Sequence, residues 1–139
     1  MRVPRPIHRG HIWIAFCLLS AASIAGAADQ LAGSKWLVED IGSRGVIDNL
    51  QTTLEFGADG RVGGRAGCNS WNASWRVTGD KLALGPVATT RRACRPSVAD
   101  QEQKFLVALA ATRSFRIDVF GKLLLAGVDN AVLIRASRL

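Results

Sequence analysis

The sequence contains no tyrosine, and both of its histidines, His8 and His11, lie within the first eleven residues. The chain beyond this segment therefore has no imidazole. That excludes Ser-His-Asp and Cys-His arrangements, the commonest zinc ligand and the usual general acid–base near neutral pH. Catalysis would need paired carboxylates or an activated lysine, and no spacing in the sequence indicates either. We therefore expect a protein that is not an enzyme, with no catalytic residue, metal ligand or cofactor.

A hydrophobic run long enough for a stable transmembrane helix is also missing. The longest apolar stretch covers residues 12–22, is broken by Ser20, and ends in small residues rather than at a charged stop. It follows three basic residues, Arg2, Arg5 and Arg9. A basic segment followed by a short apolar run is typical of a secretory signal peptide.

The small residues at positions 25–27, Ala-Gly-Ala, predict signal-peptide cleavage near Ala27. The chain then divides into a signal peptide, residues 1–27, and one domain, residues 28–139. An uncleaved N-terminal anchor is the alternative. Lipidation of Cys17 is disfavoured because bulky Phe16 precedes it, where a lipoprotein signal needs a small residue.

Strong charge of either sign is absent from the predicted domain. The signal peptide removes three basic residues and no acidic ones, which leaves 15 basic residues against 11 acidic ones and a net charge of +4. This is below the charge of a dedicated nucleic-acid-binding domain, so we expect no nucleic-acid partner. We expect a periplasmic protein, with association with the outer membrane as a further alternative.

Cysteine is scarce, and after cleavage only Cys68 and Cys94 remain. Two cysteines in an oxidising compartment most simply form a structural disulfide. The alternatives are two buried thiols or a redox-active pair. The second is disfavoured because redox pairs usually lie in a Cys-x-x-Cys motif, which is absent.

Short runs of β-forming residues, separated by Gly, Asp and Asn turns, fill most of the domain. The alternation of Thr52, Leu54 and Phe56 predicts one buried face, with Thr53 and Glu55 on the other. Strands are predicted at residues 35–41, 50–56, 61–66, 74–78, 81–84, 114–119, 122–126 and 131–136, with extended backbone at 87–90 and a bulge or close backbone approach at Gly63–Gly64.

One amphipathic helix is predicted after Pro96. Ser97 and Asp100 have the spacing of a capping box, and the helix ends near Thr112–Arg113. Phe105, Leu106 and Leu109 share one face, with Glu102 and Lys104 away from it. The predicted fold is α+β: an antiparallel strand meander that forms a curved sheet or small open barrel, with the helix closing one end.

Two segments hold the candidate site residues. The first is a turn in which Gly67 allows a tight backbone and Asn69 can bond its own backbone, with Trp71 following as either a core residue or an exposed contact. The second contains Arg91, Arg92 and Arg95, which form either a solvated loop or a contact patch for anionic headgroups or an acidic partner.

These segments resemble the META domain family, the group around the heat-shock protein HslJ. The resemblance covers about residues 31–135 and is carried by Gly67-Cys68-Asn69 with Trp75, Thr90-x-x-Ala93-Cys94, Glu102-x-x-Phe105-Leu106-x-x-Leu109, Leu123-x-Leu125 and Val132-Leu133-Ile134. The sequence departs from the family at Ala73, Trp75 and Arg92, where Gly, Tyr and Met are usual. The resemblance implies a bacterial envelope protein linked to heat or antibiotic stress, without established catalytic residues.

Three functions remain open on these grounds. The first is a monomeric, non-catalytic envelope domain that binds an envelope protein or another envelope component and supports stress tolerance. The second is an enzyme, which the composition disfavours. The third is a small-ligand carrier that uses the barrel interior, and an apolar cavity would favour it.

Overall fold

The structure, a computed structural model, describes residues 26–139. The basic segment, the apolar run and Cys17 of the predicted signal peptide therefore lie outside the described residues. No helix within residues 26–139 has the length and apolarity that crossing a membrane requires. In chain order the elements are α1 (Ala27–Leu31), β1 (Ser34–Ile41), β2 (Arg44–Gly45), β3 (Thr53–Phe56), β4 (Arg61–Arg65), β5 (Ser70–Thr78), β6 (Lys81–Leu84), β7 (Ala88–Thr89), α2 (Pro96–Ala111), β8 (Ser114–Ile117), β9 (Leu123–Ala126) and β10 (Val132–Arg138).

Eight of the strands form a closed antiparallel barrel in the order β1-β3-β4-β5-β6-β8-β9-β10. The last strand pairs with the first, with Val38 opposite Ala136. The short strands β2 and β7 add to β1 and β5. The predicted α+β class and antiparallel meander are confirmed, and the sheet closes on itself rather than remaining open. The β6–β8 seam is the barrel's thinnest, with Lys81 and Ser114 its one register pair.

Large side chains fill the inside of the barrel. Trp36 and Trp71 are almost completely buried and lie in one core with residues from α1, α2 and the strands. Two pairs of aromatic rings pack edge to face. The ring centroids are 5.6 Å apart for Trp71 and Phe105, and 5.4 Å apart for Trp75 and Phe56. Such packing adds roughly 0.5–1.5 kcal/mol per pair beyond the area that it buries.

Helix α2 differs from the prediction in two respects. Its start is not a capping box: Pro96 is the first helical residue, and Arg95 before it caps no backbone group with its side chain. Proline suits this position because it has no N–H to satisfy and its φ is already helical. The prediction that Glu102 lies away from the core is wrong, because Glu102 is buried together with Phe105 and Leu109.

The strand boundaries shift mainly around the first cysteine. Strand β5 begins at Ser70 rather than residue 74, so Trp71 belongs to a strand. Thr53 is buried, contrary to the predicted alternation, since its hydroxyl accepts the Arg65 N–H at 3.0 Å.

The β4–β5 register is continuous, without a bulge. Gly64 instead marks a close approach: its φ is +152°, and a Cβ there would collide with the Thr53 backbone. The short helix α1 was not predicted.

An ion pair joins β1 to the β8–β9 turn region, where Lys122 Nζ lies 2.6 Å from Glu39 Oε1. The hydrogen bond from Lys122 lowers the pKa of Glu39 below its ordinary 4.5, against the opposing effect of burial. A hydrogen bond from Ser137 and the charges of Lys122 and Arg135 lower this pKa by smaller amounts. A lowered carboxyl pKa stabilises the fold above pH 4.5, and this contribution is lost as the pH falls through the folded-state pKa.

Replacing Lys122 with glutamine is therefore expected to reduce the free energy of unfolding slightly at pH 7. We expect about 0.5 kcal/mol, because water screens a pair that is partly exposed. The difference between the variant and the wild type should shrink as the pH falls below 4.5, which urea unfolding at several pH values would measure. A difference that stays constant down to acid pH would contradict this assignment.

Candidate functional site

A disulfide joins the turn before β5 to the loop before α2. It links Cys68 to Cys94, across a sequence separation of 26, with the two Cα atoms 6.1 Å apart. The structure thus contains the predicted pair. Within the turn, Ala66 N–H donates to the Asn69 carbonyl at 2.8 Å, which fixes the backbone around Cys68.

The side chain of Asn69 connects this turn to the loop before α2. Its Oδ1 accepts the Arg92 N–H at 2.7 Å and the Thr90 hydroxyl at 3.0 Å. Its Nδ2 donates to Glu102 Oε1 at 2.7 Å and, at 3.3 Å, to the Arg92 carbonyl. The prediction that Asn69 bonds its own backbone is therefore wrong: the amide reaches across to two other segments. Asn69 is 5% exposed, so these contacts replace the water that its polar atoms lose.

Glu102 is the charged residue at the centre of this cluster. It lies on α2 with 8% of its surface exposed, and its Oε2 accepts the Asn69 backbone N–H at 3.0 Å. A buried carboxylate requires such donors because leaving it unpaired would cost several kcal/mol. Gly67 makes the approach possible, since a Cβ there would lie 3.0 Å from Glu102 Oε2. The candidate role of Gly67 is thus to admit a carboxylate.

Three atoms in this cluster could in principle ligate a metal. The sulfurs of Cys68 and Cys94 and a carboxylate oxygen of Glu102 lie within 4.8 Å of one another. Thiolates are the form in which cysteine binds metals, and the disulfide engages both sulfurs. Glu102 is moreover already hydrogen-bonded by Asn69. In the disulfide form the cluster is therefore a structural centre.

The segment of residues 90–95 presents the predicted arginines to solvent. Arg91 and Arg92 are exposed, as is Arg95 just before α2. Within residues 26–139, none of these three guanidinium groups forms a salt bridge. We call Arg91, Arg92 and Arg95 the arginine loop. The backbone of the loop is fixed by Asn69 and the disulfide, while its charges remain available.

The tryptophan of the first segment does not belong to a contact surface. Trp71 is 2% exposed, and its Nε1 donates to the Thr53 carbonyl at 3.1 Å. The buried alternative is thus correct, and the exposed-contact alternative is excluded. Trp75, which stands where the family usually has tyrosine, is partly buried and donates from Nε1 to the Gly57 carbonyl at 3.0 Å. Ala73 lies in regular strand opposite Val62, so it needs no glycine conformation.

These features define a small closed β-barrel with one packed helix and a disulfide-linked polar cluster. A family model described as the META domain matches residues 29–138, almost all of the described chain. The chain belongs to the META domain family. The comparison with curated proteins gives no match.

Two solved structures are similar to this chain. An NMR structure of a protein from Burkholderia xenovorans is 20% identical, with a TM-score of 0.64, and the match covers 97% of this chain and 99% of that one. A second NMR structure of a protein is 19% identical, with a TM-score of 0.60, covering 80% and 94% of the two chains. At these identities the likeness concerns the fold alone.

Proposed function

We propose that this protein is a non-catalytic binding module of the bacterial cell envelope, exported to the periplasm. In this proposal the arginine loop contacts an anionic envelope component and so supports tolerance of heat or antibiotic stress. The observation that carries the proposal is the contrast within one short segment. Its backbone is hydrogen-bonded to Asn69 and tied by the disulfide, whereas its three guanidinium groups are exposed and form no salt bridge with any of residues 26–139.

A fixed backbone favours binding because less conformational freedom is lost on contact. Each basic residue near an anionic lipid surface contributes about 1 kcal/mol, so three contribute on the order of 3 kcal/mol. This predicts weak, reversible contact that weakens at high salt, since the Debye length falls to about 3 Å at 1 M ionic strength. A surface that carries many copies of the anion would strengthen the contact with the arginine loop.

The proposed export rests on the sequence and the disulfide together. The segment before the domain has the basic and apolar pattern of a signal peptide. A disulfide that spans two segments persists in an oxidising compartment such as the periplasm. We propose that the mature protein is a monomer, and that association with the outer membrane occurs through the arginine loop.

The packing of the core disfavours the carrier alternative. Trp36, Trp71, Phe56 and Phe105 occupy the barrel interior where a carried ligand would lie. The absence of catalysis is also a proposal. It is supported by the role of Glu102, whose carboxylate oxygens are both engaged by Asn69, and by the lack of histidine in the predicted domain.

Replacing Arg91, Arg92 and Arg95 together with glutamine is expected to leave the fold intact, because the three side chains are exposed. The apparent affinity for vesicles of phosphatidylglycerol and phosphatidylcholine, measured by co-sedimentation, should fall by at least about tenfold. A tenfold loss corresponds to about half of the contact energy given above. The measurement should be repeated with lipopolysaccharide.

The matched control replaces Arg44, Arg61 and Arg116, which are exposed elsewhere on the barrel, with glutamine. It changes net charge by the same amount and should bind nearly as well as the wild type. If both triple variants bind equally, the arginine loop is not the contact surface. If the wild type does not bind anionic vesicles or lipopolysaccharide more tightly than phosphatidylcholine, the proposed contact is wrong.

A further inference from the structure

A second group of cationic side chains, separate from the arginine loop, lies at the β6–β8 seam. An open groove of about 670 Å³ runs along this seam, between β5–β6 on one side and the end of α2 with the β9–β10 loop on the other. This volume is within the range of roughly 300–1,000 Å³ that small-molecule sites have. The lining residues that carry the argument are polar: Arg76, Thr78, Lys81, Thr112, Arg113 and Asn130.

The strand register places two of the cations side by side. Thr78 pairs with Lys81 and Arg76 pairs with Ala83 across the β5–β6 hairpin, so Arg76 and Lys81 lie on the same face of neighbouring strands. Both are exposed, which identifies this face as the outside of the barrel. Lys81 also pairs with Ser114 across the seam. The two charges thus lie along one wall of the groove.

Arg113 supplies the third cation from the other wall. Its Nη1 donates to the carbonyls of Ala110, at 2.8 Å, and Thr112, at 2.7 Å. These bonds satisfy carbonyls at the C-terminal end of α2, where the helix dipole is negative. They also fix the position of the guanidinium group, while Nη2 and Nε keep their hydrogens for another partner.

In the part of the chain that the structure describes, no acidic side chain lines this groove. Among residues 26–139, none of Arg76, Lys81 and Arg113 takes part in a salt bridge. Asp80 and Asp129 are close in sequence, but neither is a lining residue, and Asp129 Oδ1 accepts the Ala131 N–H at 3.1 Å. Three like charges around one concave surface repel one another and concentrate a positive potential there.

We propose that this groove is a binding site for a small, multiply charged anion that bears phosphate or carboxylate groups. Arg76 and Lys81 would contact it from one wall and Arg113 from the other, and Thr78 and Asn130 have the hydrogen-bond donors to complete its shell. Three cations match a ligand with two or three negative charges better than a monovalent one. The site is separate from the arginine loop and does not depend on it.

The experiment titrates the ¹⁵N-labelled protein with anions and records its amide spectrum at each step. Pyrophosphate and citrate are the phosphate and carboxylate probes, and sodium chloride at matched ionic strength is the control for screening. We expect saturable shifts in the amides of residues 81–84, 112–114 and 127–130 with at least one probe. Acetate, a monovalent carboxylate, should bind at least about tenfold more weakly, a difference of about 1.4 kcal/mol.

The variant Arg76→Gln/Lys81→Gln should weaken binding of the probe by at least about tenfold while its spectrum remains that of a folded protein. Its matched control, Arg44→Gln/Arg61→Gln, removes the same charge from exposed positions that do not line the groove and should leave the affinity unchanged. The proposal is overturned if sodium chloride reproduces the shifts, if neither probe gives saturable shifts in the groove, or if the two double variants lose affinity equally. Vesicle binding by the arginine loop can succeed or fail independently of these results.

Discussion

Protein in which Cys94 is replaced by serine is expected to melt about 10–15 °C below the wild type in non-reducing buffer. The disulfide closes a loop with a sequence separation of 26. Restricting such a loop in the unfolded chain stabilises the fold by about 3.5 kcal/mol on the chain-entropy model. For a domain of this size each kcal/mol corresponds to about 4 °C in melting temperature. Thermal unfolding followed by circular dichroism would measure the shift.

The reducing agent supplies the control for this prediction. Adding dithiothreitol should lower the melting temperature of the wild type to that of the Cys94→Ser variant. It should leave the melting temperature of the variant unchanged. The double variant Cys68→Ser/Cys94→Ser should melt with the single one, because both lack the same crosslink. Two freely labelled thiols in wild-type protein isolated from the envelope would contradict the disulfide altogether.

The local parts of the fold could be predicted from the sequence because their causes are local. Alternation in Leu54 and Phe56, and the turn after Phe56, depend on neighbours within a few residues. The closure of the barrel has no such local cause. It depends on β1 pairing with β10 near Val38 and Ala136, almost at opposite ends of the domain. A pattern of strands therefore indicated a curved sheet without determining that it closes.

The side chains of the candidate site, too, could be predicted from the sequence only in part. Cys68 and Cys94 were recognisable as a pair that links two segments, whereas Asn69 was recognisable only as a turn residue and its contacts with other segments were not predicted. The role of Glu102 was not, because a charged residue on an amphipathic helix is ordinarily exposed. What makes it a buried residue is a pair of donors from Asn69, 33 positions earlier in the chain. Glu102 does begin the helix motif that resembles the META family, and that was the available signal.

Substitutions at Asn69 should have the other large effect on stability. The change to alanine removes the side-chain donor to Glu102 and both contacts with the Arg92 backbone, and keeps the backbone N–H donor to Glu102. Losing hydrogen bonds to a buried carboxylate and to partly buried backbone groups costs about 3 kcal/mol in free energy of unfolding. Asn69→Asp should cost more at neutral pH, since it places a second carboxylate against the first. Urea unfolding in non-reducing buffer keeps the disulfide constant across the series.

Exchanging the two partners provides the sharpest test of this cluster. In Asn69→Asp/Glu102→Gln, the amide lies on α2 and the carboxylate on the turn, so a donor again faces an acceptor. The acidic group would also still accept from the Arg92 N–H and the Thr90 hydroxyl, as Asn69 Oδ1 does. We expect the double variant to be more stable than Asn69→Asp alone, with a coupling of about 0.5–3 kcal/mol. Strict additivity would mean that the amide and the carboxylate stabilise the domain separately, because a direct bond between two side chains requires that each substitution change the effect of the other.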